Sequence, residues 1–213
     1  MTAPVIDTLP AIGFEQASFD LIVPGKVNQM QGRRTEKRVH GTPYWRASYS
    51  AGWQYERGIG QAEAFIRRVL ARGRVFRGYD LLRPRPIEFA GAPLTWTPSI
   101  VEITDAHTVV IDGVPNLAQF REGDYVEFAA SPLVLSLHSI AADVQANGSG
   151  EVTLSIDPAL DLDHFTDEAV PNFEKPSCIM QPFDWQNAKS WQSRNPSWSA
   201  QEVFFYDIPE EED

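Results

Sequence analysis

The residues of this chain able to do acid–base, nucleophilic or metal chemistry are four histidines, one cysteine and a short run of carboxylates. Their spacing decides which chemistry is open. Asp157, Asp161, Asp163, Asp167 and Glu168 offer oxygen ligands of the kind a hard cation prefers. The run lacks the glycine that makes the sharp turn of an EF-hand loop, and acidic loops are usually just solvated, so no metal is expected. His40, His107, His138 and His164 are not spaced as a metal-binding pair such as HExxH. His138 lies in an apolar run and reads as a packed or rim residue. His164, beside Asp163 and Asp167, has the make-up of a general base, but nothing near it in sequence supplies a nucleophile. Ser131, Ser136 and Ser139 lack the GxSxG setting of an activated serine. Cys178, in Pro-Ser-Cys-Ile-Met, reads as a small buried thiol. No P-loop is present. Gly58-Ile59-Gly60 does not complete a nucleotide-binding fingerprint and reads as a flexible entry to a helix. The chain is therefore expected not to be an enzyme and to carry no catalytic residue, cofactor or metal.

Two other groups of side chains are suited to binding. Residues 26–38 are polar and carry Lys26, Arg33, Arg34, Lys37 and Arg38. A charge run of this kind reads first as a solvated hairpin or loop. A nucleic-acid contact is the sharper reading, but no aromatic residue interleaves the run to stack on bases. Trp185, Trp191 and Trp198 punctuate a polar segment near the end of the chain. They suit a sugar-stacking surface, or they anchor a long loop to the core or to a neighbouring subunit. The second use of tryptophan is the commoner.

Bulk composition sets the frame. At 213 residues, one large β domain or two small ones are possible. At 43% hydrophobic, the chain can bury a core and is not a disordered polymer. No apolar run approaches the roughly 20 residues of a membrane helix, and the first residues lack the pattern of a signal peptide. A single cysteine excludes a disulfide framework and a cysteine-based zinc site. Synthesis in the cytoplasm is expected. The net charge of −11 is unevenly spread: residues 1–85 sum to +7 and residues 86–213 to −18. Such asymmetry points to faces that meet different partners.

The elements that must position these groups are mostly strands. The exception is Gly60–Gly73, where Ala62, Phe65, Ile66, Val69 and Leu70 recur at i, i+3, i+4, i+7 and i+8. That period predicts an amphipathic α-helix burying all five. Glu63 near its start and Arg67, Arg68 and Arg72 toward its end suit the dipole, and Gly73 is a natural stop. Strands are predicted over 18–23, 44–53 and 74–82. In the second of these, Trp45, Ala47, Tyr49 and Ala51 share one face. Pro84 and Pro86 break the pattern and mark a domain junction. Short runs at 100–103, 108–111, 125–128, 133–140 and 151–156, punctuated by Asp112-Gly113, Arg121–Asp124 and a hairpin loop at Asn147–Gly150, predict a small barrel or sandwich. Strands at 177–183 and 201–206 follow, the first limited by Pro182 to an edge or a short run. The tail, Pro-Glu-Glu-Glu-Asp, reads as frayed. The fold expected is mainly β with one amphipathic helix. A β-sandwich or barrel tail domain would be formed by residues 1–85 and 171–213, with a small β-barrel of residues 86–170 inserted.

The order of several short motifs carries a family resemblance. Trp45-Arg46-Ala47 is followed by Ala64-Phe65, Leu70, Gly73-Arg74 and Phe76. Gly91-Ala92-Pro93 comes next, then Gly123-Asp124. Asn147–Gly150 then leads through Leu154 and Ile156 to Pro158-Ala159-Leu160, and Pro176, Cys178 and Met180 close the series. This arrangement resembles the distal tail, or tail-tip, proteins of long-tailed phages (siphophages) and gene-transfer-agent particles. It spans most of residues 18–206. The resemblance implies a structural virion protein forming a ring, usually a homohexamer, between the tail tube and the hub and baseplate proteins. The tape measure protein is a further implied partner, and DNA passes through the lumen without a membrane being involved. The localisation implied is the virion tail. The basic loop 26–38 has no counterpart in the family pattern.

In that reading, Trp45, Tyr49, Phe65, Ile66, Val69 and Leu70 form the core of the ring-forming domain. Arg33, Arg34, Lys37 and Arg38, with Trp185, Trp191 and Trp198, are the expected interface residues. The rival reading is a carbohydrate-binding tail module that touches a host glycan through the barrel or the tryptophan segment.

Overall fold

A computed structural model describes residues 5–29, 35–187 and 195–205. The chain is mainly β with one long helix. In order, the elements are β1 (Ile6–Thr8), β2 (Phe14–Ile22), β3 (Gly25–Gln29), β4 (Thr35–Val39), β5 (Tyr44–Ala51), α1 (Glu56–Ala71) and β6 (Val75–Gly78). After a 3-10 turn at Ile87–Phe89 come β7 (Ser99–Asp105), β8 (Thr108–Asp112), β9 (Gln119–Phe120), β10 (Tyr125–Ala129) and β11 (Leu135–Ile140). The series ends with β12 (Val144–Gln145), β13 (Val152–Asp157), β14 (Val170–Asn172), β15 (Cys178–Asn187) and β16 (Pro196–Glu202).

Two six-stranded sheets hold the chain. The first has the order β1-β6-β15-β16-β5-β2, the second β14-β10-β11-β13-β8-β7. The chain leaves the first sheet at Gly78, enters the second at Ser99, and crosses back between Asn172 and Cys178. The end strands of the second sheet, β14 and β7, touch each other, so that sheet curls on itself. Its interior is packed by Phe120, Phe128, Phe165, Phe173 and the β-branched residues of β8 and β13.

Helix α1 covers one face of the first sheet. Ala62, Phe65, Ile66 and Val69 are buried, with the Phe65 ring edge-on to Phe76 at 5.2 Å and tilted on Trp198 at 5.5 Å. Full burial of such side chains contributes about 1.5–3 kcal/mol each. The helix starts four residues earlier than its apolar period suggests, so Gly58 and Gly60 lie inside its first turns. It stops where expected: Gly73 has φ +60°, a conformation glycine adopts without a Cβ clash. Leu70, expected in the core, is 49% exposed. At about 100° per residue it sits roughly 90° from the centre of the buried stripe, beyond the reach of the sheet.

Other boundaries also moved, for local reasons. β6 is only four residues long because Met180 lies over Gly78 and the Asp80 carboxylate then accepts the Leu82 N–H at 2.8 Å, turning the chain. The Asn147–Gly150 loop is tight, its Asn147 side chain accepting the N–H groups of Ser149 and Glu151, each at 2.9 Å. It does not close a hairpin, since β12 before it pairs with β9 while β13 after it pairs with β8 and β11. β16 begins at Pro196, earlier than predicted, and β15 runs on to Asn187. The segment read as a polar connection is therefore largely a paired ladder, with Trp185 opposite Trp198.

The two sheets meet at a bonded seam. Trp45 Nε1 donates to the Leu137 carbonyl of β11 at 2.8 Å, and its ring meets Tyr125 edge-on at 5.5 Å. The Glu127 carboxylate, 1% exposed, accepts from the Ser177 N–H and hydroxyl, each at 2.8 Å, and pairs with Arg77 at 3.3 Å. Arg85 grips Glu174 with two bonds of 2.6 Å.

Candidate functional site

The feature of the first sheet that invites a partner is its incomplete pairing. Within it, β2, β5, β16 and β15 form a continuous antiparallel run. On one side of the run, β2 pairs, among the described residues, only with β5 along its nine residues. On the other, β6 covers β15 only from Cys178 to Met180. Among the described residues, no strand pairs with the outer flank of β15 from Gln181 onward. A bulge between Pro182 and Asp184 interrupts that flank. Pro182 has no N–H to offer a ladder, so its place beside an open flank follows from its chemistry. Two unpaired flanks are templates for further strands. Four strands alternate in direction, so β2 and β15 run antiparallel to each other.

The face of this run turned away from α1 is small and polar. Residues of β5 alternate, with Ala47, Tyr49 and Ala51 buried and Ser48 and Ser50 half-buried on the other side. Ser18 lies opposite Ser48 on β2, and Ser199 opposite Ser48 on β16. Ser48 and Ser199 hydroxyls are 3.0 Å apart. With Ser197, Asp184 and Gln186 they line a shallow depression of about 230 Å³. Arg46 lies over the rings of Tyr44 and Phe183 at 5.9 and 5.3 Å.

The sequence-derived interface residues are not all at the surface. Arg33, Arg34 and Trp191 fall outside the described residues. Lys37 is placed by its backbone in β4, opposite Val27, and Arg38 is exposed opposite Lys26 in the same hairpin. Trp185 is half-buried. Trp198 is 2% exposed and is a core residue, packed on Tyr49, Phe65, Phe14 and Trp185. Its expected role at an interface is corrected on that ground: alternation in β16 turns Trp198, Ala200 and Glu202 inward together with Pro196. The exposed aromatic pair is instead Trp53 and Tyr55, 4.8 Å apart and edge-to-face at 81°.

Among the titratable groups with shifted behaviour, several are buried. Burial pulls the His138 imidazole down to about 4. Its Nδ1 is 2.7 Å from the Pro158 carbonyl and Nε2 is 2.8 Å from the Ser136 hydroxyl. That is a serine–histidine pair in geometry, but the imidazole is 0% exposed and has Phe128 against it at 5.4 Å, which leaves no room for a substrate. Burial pushes Glu202 up to about 8, partly offset by the Trp45 N–H it accepts at 2.9 Å. Desolvation also raises Cys178, a fully buried thiol. His164 bonds to Asp161 at 2.9 Å within its own turn, and His107 Nδ1 lies 2.9 Å from the Ile156 carbonyl. Among the described residues, no group of three or more His, Cys, Asp or Glu side chains is arranged to hold a metal ion, and no helix is long and apolar enough to cross a membrane. No protein-family model matches the chain, and no curated protein matches it at a significant level.

Proposed function

We propose that this chain is a structural subunit of a phage-type tail tip, which assembles head to tail into a ring joining the tail tube to the hub and baseplate. One observation carries the reading: among the described residues, the antiparallel run β2-β5-β16-β15 ends in two open flanks. An even number of alternating strands means that β2 of one copy meets β15 of the next in antiparallel sense. Such a contact uses two different patches per subunit, the arrangement that closes into a ring when the rotation allows. Beyond the bulge the pairing extends about five residues, or roughly 17 Å of strand. The hydroxyl-lined part of this face suits a lumen wall that lets DNA slide past, because its serines are accompanied by Asp20 and Asp184, with Arg46 opposite Asp20.

The carbohydrate-binding alternative is the less favoured, with Trp185 half-buried and Trp191 outside the described residues. Trp198 is consumed by the core, and the exposed Trp53–Tyr55 pair is edge-to-face rather than flat. The test is a variant whose flank cannot pair. Ala17→Pro in β2 removes an N–H that faces the open flank, since Ser18 opposite Ser48 turns its own N–H toward β5, and it is expected to leave a folded monomer where the parent chain assembles. Unchanged assembly in that variant argues against the strand-to-strand contact. A parent chain that stays monomeric at high concentration argues against the ring.

A further inference from the structure

A cleft of about 290 Å³ opens beside the seam between the sheets, lined by Leu9, Arg77, Tyr79, Glu174 and Lys175 among others. Its charges are arranged, not scattered. Glu127 behind it is buried and fully bonded, so it fixes the Arg77 guanidinium with an ion pair at 3.3 Å. Glu174 is taken up by Arg85, whose hydrogen bonds hold its carboxyl below the ordinary range. Lys175 has no salt bridge among the described residues; its ammonium lies 5.9 Å from the Tyr79 ring centre. It is also, with Leu117, one of two non-glycine residues with positive φ among the described residues, at 51°. Lysine is not favoured in that conformation, so the backbone accepts a cost to put a cation there. The cleft thus combines two cations with the apolar surfaces of Leu9 and Tyr79.

We infer that this cleft receives the Asp161-Leu162-Asp163 turn of a second copy of the chain. The turn is the matching shape in charge and polarity. Leu162 is 51% exposed between two aspartates, an arrangement that places one apolar side chain with acids on either side. Asp161 is engaged by its own turn, accepting from the Asp163 N–H at 3.1 Å, and so stiffens it. The Asp163 carboxylate is exposed and faces outward. In the bound state Leu162 contacts Leu9 and Tyr79, and Asp163 meets Lys175 and Arg77. The contact sets an acidic turn of one subunit against Lys175 and Arg77 of the next, which lessens the self-repulsion of a chain carrying −11.

This inference rests on the ring reading, because it needs a neighbouring copy. The test is a charge swap read by sedimentation equilibrium of the full chain at about 50 mM salt. Lys175→Glu and Asp163→Lys each weaken self-association about tenfold, and the double variant recovers most of that loss. Both residues are exposed, and circular dichroism of each variant checks the fold. Arg77 is left intact because its removal would strand buried Glu127. An assembly that forms normally in both single variants, or a double variant no better than either single, overturns the cleft contact while leaving the ring. If deletion of residues 206–213 reproduces the Lys175→Glu effect and the swap does not rescue, the cleft takes the chain's own acidic end and the inference fails. A parent chain that never self-associates removes both proposals.

Discussion

Replacing Glu202 by glutamine is expected to change how stability depends on pH. The carboxyl is 7% exposed and is held near 8 against an ordinary 4.5, mainly by burial. Its folded value lies above its unfolded one, so between those values the native state holds a proton that the unfolded chain has released. Stability is full below pH 4.5 and is lost as pH rises toward 8. His138 works the other way: its folded value of about 4 lies below the ordinary 6.5, so stability rises with pH across that interval. Over pH 4.5–6.5 the two contributions nearly cancel, each worth about 2 kcal/mol. Above 6.5 only Glu202 remains, and the parent protein should lose about 1–2 kcal/mol by pH 8. At a urea slope of about 2 kcal/mol/M this moves the unfolding midpoint down by roughly 0.5–1 M. Glu202→Gln keeps an oxygen to accept the Trp45 N–H but cannot ionise. Urea unfolding followed by tryptophan fluorescence should therefore give a nearly flat profile for the variant from pH 6.5 to 8. A variant midpoint that falls as steeply as the parent's would show that another group governs this window.

Three further outcomes follow from the same packing. Phe65→Ala should cost about 3–5 kcal/mol in chemical unfolding while Leu70→Ala costs under about 1, because only the first leaves a cavity; equal losses would misplace the helix face. Glu127→Ala should cost about 3–5 kcal/mol and leave Arg77 and Ser177 without their partner; a loss below about 1 kcal/mol would mean the seam is not held there. His138→Gln should remove the contribution that offsets Glu202, so the variant should gain about 2 kcal/mol as pH falls from 6.5 to 4.5 while the parent stays nearly level. A variant as level as the parent over that interval would show that the buried ring does not govern it.

Much of the fold can be read from side-chain period. The stripe of α1 and the alternation Trp45, Ala47, Tyr49, Ala51 both identify buried faces, all four of the latter being under 5% exposed. β16 has the same alternation, Pro196, Trp198, Ala200, Glu202, but serines on its outer face disguise it as a polar connection. A period-two reading there finds Trp198 in the core and Glu202 beside it. What the sequence does not carry is strand pairing. That β6 covers only three residues of β15 depends on Met180 meeting Gly78 and on the turn at Asp80. The open flank is created by where another strand stops, and Pro182 is the sign of it that β15 carries. The cleft is similar: Arg77, Lys175 and Leu9 are far apart in sequence and are joined only by the seam.

Assembly is the claim on which the rest depends, and mass in solution reads it most directly. Sedimentation of the purified chain, with negative-stain images of the same sample, should give closed rings and a particle mass several times the 23.9 kDa of one chain. A single species at 23.9 kDa across the accessible concentration range, with no rings even when tail-tube and hub proteins are added, would contradict it.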